Sequence, residues 1–113
     1  MQQSEVPPVE SSRVMVVLAD DPREDTVIRL AGEHDMCSVE ELTRAIVRVV
    51  DAGRSDVVFE LSNVDFMDST VIHQLVRAST RLGADGRTTR VRDPSPAARY
   101  VLDLCGLTHL VET

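Results

Sequence analysis

The stretch Asn63-Val64-Asp65-Phe66-Met67-Asp68-Ser69-Thr70 decides how this chain is read. Before it, Asp56 to Leu61 (Asp-Val-Val-Phe-Glu-Leu) is a short, nearly continuous apolar run, the pattern of a strand covered on both faces. After it, Val71, Ile72, Leu75, Val76, Ala78 and Leu82 form an apolar stripe at helical spacing that ends at Gly83. The quoted residues are therefore expected to turn the chain from strand to helix, with Asp68 or Ser69 as the helix N-cap. A turn of that kind, beyond the carboxyl end of a strand, is where open α/β sheets place their sites.

On the N-terminal side, Ser38 is a good N-cap and Glu41 completes a capping box. Behind it Val39, Leu42, Ile46, Val49 and Val50 keep helical spacing, Arg44 and Arg48 take the other face, and Gly53 stands where a C′ glycine belongs. Earlier still, Val14 to Leu18 and Val27 to Ala31 are two strand-like runs separated by the charged turn Ala19 to Asp25 with Pro22 in it, a hairpin with a longer loop. Gly32-Glu33-His34-Asp35 closes the second run. On the C-terminal side, Gly86 marks a turn and Thr88 to Val91 a short strand. Asp93-Pro94-Ser95-Pro96 starts a third helix, with Ala98, Val101, Leu102 and Cys105 as its buried face and Gly106 as its end. Leu107 to Val111 is expected to be a last short strand.

Strand–helix–strand units imply parallel pairing with right-handed crossovers, so the expected fold is α/β: one domain, a mixed, mainly parallel sheet of about four to five strands, and three helices. Three loops should then meet on one edge of the sheet: Gly32 to Asp35, Asn63 to Thr70, and Asp93 to Pro96. That places Asp35, Asp68 and Ser69 on a shared surface despite their separation in sequence.

Composition bounds the function. Residues 1–12 read as a disordered lead-in and 13–113 as the domain. The lead-in has no basic region followed by an apolar run, and no segment approaches the length of a membrane span, so a soluble cytoplasmic protein is expected. The core must be aliphatic, because aromatic residues are scarce and Trp is absent. A net charge of −7 argues against direct nucleic-acid binding, which needs a basic stripe. Cys37 and Cys105 lack any redox or metal spacing, and His34, His73 and His109 read as surface residues with no metal pattern. No glycine-rich phosphate loop is present, so no cofactor or nucleotide site is expected.

Two motifs carry a resemblance: Gly32-Glu33-His34-Asp35 after an early strand, and Asp65-Phe66-Met67-Asp68-Ser69-Thr70 opening a helix. With Leu102-Asp103-Leu104-Cys105-Gly106-Leu107 as a weaker third, the chain from Val14 to Glu112 resembles the STAS domain family, in its anti-sigma factor antagonist branch. The resemblance implies a binding protein rather than an enzyme. It implies that Ser69 is phosphorylated by an anti-sigma factor that is itself a serine kinase, with Thr70 as the alternative acceptor. The unphosphorylated form would bind that kinase and release a sigma factor, a PP2C-type phosphatase would reset the switch, and Asp35 would contribute to recognition or phosphorylation. The implied contact residues are Asp35, Asp68, Ser69, Thr70, Val71 and His73.

This chain departs from the family in two places. The family follows its hydroxyl pair with Gly-Leu-Gly, whereas Val71-Ile72-His73 stand here, so Val71 and His73 are expected to add bulk where a partner approaches. The family's last helix, beyond the Val111 region, is expected to be absent, which would expose apolar surface for a partner or a homodimer. Two other non-enzymatic readings are a subunit docking on a transporter ATPase and a constitutive scaffold. A nucleophilic Ser69–His73 pair is the enzymatic rival, but no GxSxG elbow or oxyanion loop accompanies it.

Overall fold

A computed structural model describes residues 13–112. The expected lead-in therefore lies outside the described residues. Four strands form one sheet in the order β1-β2-β3-β4, where β1 is Val14–Val17, β2 is Thr26–His34, β3 is Val57–Met67 and β4 is Thr89–Arg92. The first pair is antiparallel and the other two are parallel, as the hairpin and the strand–helix–strand units require. The helices are α1 (Val39–Ala52), α2 (Ser69–Ala84) and α3 (Pro96–Leu104).

The side-chain pattern explains the layering. Thr26, Ile28 and Leu30 of β2 are buried, and Thr89 and Val91 of β4 lie on the same side. Val57, Val58, Phe59 and Leu61 of β3 have essentially no exposure, so this central strand is covered on both faces. Leu42, Ala45, Ile46 and Val49 of α1 and Val71, Ile72, Leu75, Ala78 and Leu82 of α2 complete the aliphatic core. Burying a single side chain of this size contributes about 1.5–3 kcal/mol.

Beyond Leu61 the strand was not legible as a strand. Two register shifts against β2 give β3 an extra residue between the pairs Arg29↔Glu60 and Ala31↔Asn63, and another between Gly32↔Val64 and Glu33↔Phe66. Each bulge resets the alternation, so the buried positions become Leu61, Val64 and Met67, three residues apart. Asn63 to Met67 is thus strand rather than turn, and Gly32-Glu33-His34 likewise belongs to β2 rather than to a loop. Gly32 has φ +83°, a backbone state that side chains disfavour, and it lies between the two irregularities.

Several local expectations are corrected. Ser38 is not an N-cap of the capping-box kind: it ends a 3-10 turn, Met36–Ser38, with helical dihedrals and no side-chain bond to the helix. Gly53 is extended, not left-handed. The end of α1 is instead held by Arg87, whose guanidinium donates to Val49 O and Val50 O, both at 3.2 Å, and to Ser55 O at 2.7 Å. Val76 and Cys105 are exposed rather than buried; Cys105 already lies past the end of α3. Leu107 to Val111 contains a 3-10 turn, Thr108–Leu110, and only Val111 makes a bridge, to Val91. That segment is fastened by charge: Glu112 accepts from Arg90 at 2.8 Å and Arg92 at 2.9 Å, while Asp25 accepts from Arg90 at 2.6 Å.

Candidate functional site

The site is built where β2 and β3 end side by side, at the pair His34↔Met67. The chain leaves β2 through Asp35 and the Met36–Ser38 turn, and leaves β3 through Asp68 into α2. A hydrogen bond joins the two exits, with the Asp68 N–H donating to His34 O at 3.2 Å. The structure thereby brings Asp35 and Asp68–Ser69–Thr70 to one edge. It does not bring the third expected loop. The N–H of Ser95 donates to Leu61 O, six residues short of Met67 on β3, roughly 20 Å along a strand at ~3.3 Å per residue.

Asp68 is the N-cap of α2, with extended dihedrals, and its carboxylate accepts from the Thr70 N–H at 3.0 Å. The Thr70 hydroxyl donates to the same oxygen. Thr70 is therefore turned back into the cap and half-buried. Ser69, the first helical residue, is exposed, and among the described residues its hydroxyl has no hydrogen-bond partner. The positive end of the α2 dipole lies beneath it and favours an anion by about 0.3–1 kcal/mol, while the N–H groups of Thr70, Val71 and Ile72 already donate to Asp68.

Val71 and His73 separate sharply. Val71 is fully buried in the core, so its side chain adds no bulk to the surface, which corrects the expectation for this position. His73 is exposed on α2 one turn beyond Ser69. Of the two residues expected to add bulk, only His73 therefore reaches the surface. His34 is corrected in the opposite sense, because it is fully buried, and burial pushes its ring below the ordinary imidazole value.

The contact pattern adds two residues that sequence reasoning missed. Met36 is 73% exposed and Phe66 is 49% exposed, an unusual state for large apolar side chains. Phe66 pairs with Glu33 across the strands, and Met36 follows His34 by two residues, so both border the Asp68–Ser69 turn. The signal was present in Phe66, which stands between the buried positions Val64 and Met67. It became readable only once the bulges were known.

The other concavities lie elsewhere: a groove of about 480 Å³ between α1 and α2 is lined by Thr43, Ile46, Val47, Gln74 and Val76 among others. Among the described residues no group of three or more His, Cys, Asp or Glu side chains is arranged to hold a metal ion. Nor is any described helix long and apolar enough to cross a membrane.

Comparison with known proteins agrees with this architecture. The chain is 33% identical over 86 residues to an anti-sigma F factor antagonist of Lysinibacillus sphaericus, covering 75% of this chain and 74% of that protein. The anti-sigma factor antagonist SpoIIAA in its unphosphorylated form superposes with a TM-score of 0.77 at 27% identity, over 88% of this chain and 85% of its own. The phosphorylated form of SpoIIAA, a Bacillus cell fate determinant, gives 0.70 at 27% identity over 88% of each chain. The STAS domain profile matches residues 15–113, and the chain belongs to the STAS domain family.

Proposed function

We propose that this protein is an anti-sigma factor antagonist working in the cytoplasm as a binding protein rather than an enzyme. In its unphosphorylated state it binds an anti-sigma factor that is a serine kinase, and the sigma factor is released. Phosphorylation of Ser69 ends that binding, and a PP2C-type phosphatase restores it. The observation that carries the reading is the state of Ser69: an exposed hydroxyl without a partner among the described residues, at the first position of a helix whose cap is Asp68. The similarity to SpoIIAA, for which unphosphorylated and phosphorylated forms are both known, supports it.

The geometry also favours Ser69 over Thr70 as acceptor, because the Thr70 hydroxyl is engaged with Asp68. A phosphate on Ser69 leaves that cap intact. It adds a charge of about −1.5 to −2 next to Asp68 and on the edge that carries Asp35. Across an interface, an ill-matched charge of that size costs several kcal/mol, and each ~1.4 kcal/mol is tenfold in affinity. The switch therefore needs no refolding. Asp35, Asp68 and Ser69 form the polar part of the proposed contact surface, with His73 at its margin.

The test incubates the protein with candidate anti-sigma kinases and ATP and locates the modification by mass spectrometry. Modification at Ser69, retained in Thr70→Ala and lost in Ser69→Ala, is expected. Ser69→Ala should still bind the kinase, and Ser69→Asp should bind it weakly. If Ser69 is not modified and Ser69→Asp binds as well as the unmodified protein, the switch reading fails.

A further inference from the structure

His34 sits where the two halves of the candidate site are joined. Its carbonyl accepts from Asp68, at the start of α2, while its ring reaches into the turn after β2. Nε2 lies 3.0 Å from Ala31 O, and Nδ1 lies 3.1 Å from Ser38 Oγ. A carbonyl oxygen only accepts, so Nε2 carries a proton in either charge state of the ring. In the neutral ring Nδ1 is bare and accepts from the Ser38 hydroxyl. In the protonated ring Nδ1 must donate, and the hydroxyl has to turn away. Asp35 O, 3.0 Å from Ser38 Oγ, is placed to receive it. Both charge states therefore find complete hydrogen bonding around the ring, an arrangement that a purely structural apolar side chain would not need.

The geometry points to His34 as a pH-responsive positioning residue: proton uptake turns the Ser38 hydroxyl from the ring to the Asp35 carbonyl and places a positive charge beneath the two exits that carry Asp35 and Ser69. The inference goes beyond the binding reading, since it concerns the shape and charge of this edge whichever partner docks there.

Several charged groups face the ring. Arg13, preceding β1, acts in both senses: its backbone favours protonation by hydrogen bonding, its charge opposes it, and its guanidinium donates to Glu33 O at 3.1 Å. Glu41 on α1 favours protonation. Asp68 approaches from the β3–α2 junction through its backbone N–H, and Glu33 and Asp35 flank His34 in sequence. Burial outweighs these influences and pulls the ring below its ordinary value, so it is neutral near pH 7 and charges only on acidification.

The test is an NMR titration of the full chain from about pH 7.5 to about pH 4.5, spanning the ordinary imidazole value of ~6.5. The His34 ring is expected to titrate with a midpoint below that value, and the amides of Met36, Ser38 and Asp68 are expected to shift with the same midpoint while the chain remains folded. Ser38→Ala should lower the midpoint further, because the charge-assisted bond lost from the protonated Nδ1 is stronger than the neutral one lost from the bare Nδ1. The inference is overturned if the ring stays neutral until unfolding, or titrates without those amides following. It is equally overturned if a folded Ser38→Ala keeps the original midpoint; if that variant does not fold, the titration of the unmodified chain decides.

Discussion

Replacing Val71 by glycine, the residue that the family resemblance implies after the hydroxyl pair, is expected to destabilise the protein without opening its surface. Val71 has 0% exposure and faces the cluster that includes Met67, Leu75 and Leu102. Removing three buried carbon groups at ~0.8 kcal/mol each forfeits about 2.4 kcal/mol. Glycine in place of valine inside a helix adds about 0.4 kcal/mol, and an incompletely collapsed cavity adds more. The expected loss is roughly 3 kcal/mol, out of a total of about 5–15 kcal/mol for a domain of this kind. In urea, with a slope near 1.5 kcal/mol per molar, the unfolding midpoint should fall by about 2 M at unchanged slope. His73→Gly makes the control. That side chain is exposed, so the midpoint should move by about 0.5 M or less, the cost of glycine on a helix surface. Under the proposed switch, phosphorylation of Ser69 should respond to His73→Gly and not to Val71→Gly in the folded state. A midpoint shift for Val71→Gly no larger than that for His73→Gly would refute the assignment of Val71 to the core.

Arg87→Met should cost about 2–4 kcal/mol, because three carbonyls lose a charged donor at once, and Arg87→Lys should recover part of it; urea midpoints and amide exchange in the last turn of α1 measure both. Asp68→Ala removes the cap of α2 and should lower stability by about 1 kcal/mol, while Asp68→Asn retains most of it. The pH dependence follows from His34, whose folded value is depressed by burial. The unfolded chain then binds the extra proton, so its contribution is present above about pH 6.5 and is lost as pH falls toward the folded value. Urea midpoints measured down that window should decline in the unmodified protein. Glu112, held low by its hydrogen bond to Arg92, adds its own loss only at more acidic pH.

The order of elements, the mixed sheet and the helix faces of α1 and α2 follow from sequence alone, because apolar periodicity is a local property. Val57 to Leu61 announces a doubly covered strand, and Leu42, Ile46 and Val49 announce a helix face. The hydroxyl pair at a helix start was equally plain. Tertiary structure decided what depends on two segments meeting. The bulges in β3 exist only relative to its pairing with β2, so the strand's reach to Met67 and the exposure of Phe66 could not be seen in either segment. Arg87 looks like any surface arginine until a distant helix end supplies its carbonyls. His34 looks like a loop residue until Ser38 and Ala31 close around it. The opening stretch keeps its central place, but its meaning is divided by depth: Ser69 and His73 face outward, and Val71 faces the core. Sequence periodicity assigns residues to a helix, whereas only the packing of that helix on the sheet fixes which side of it a partner could touch.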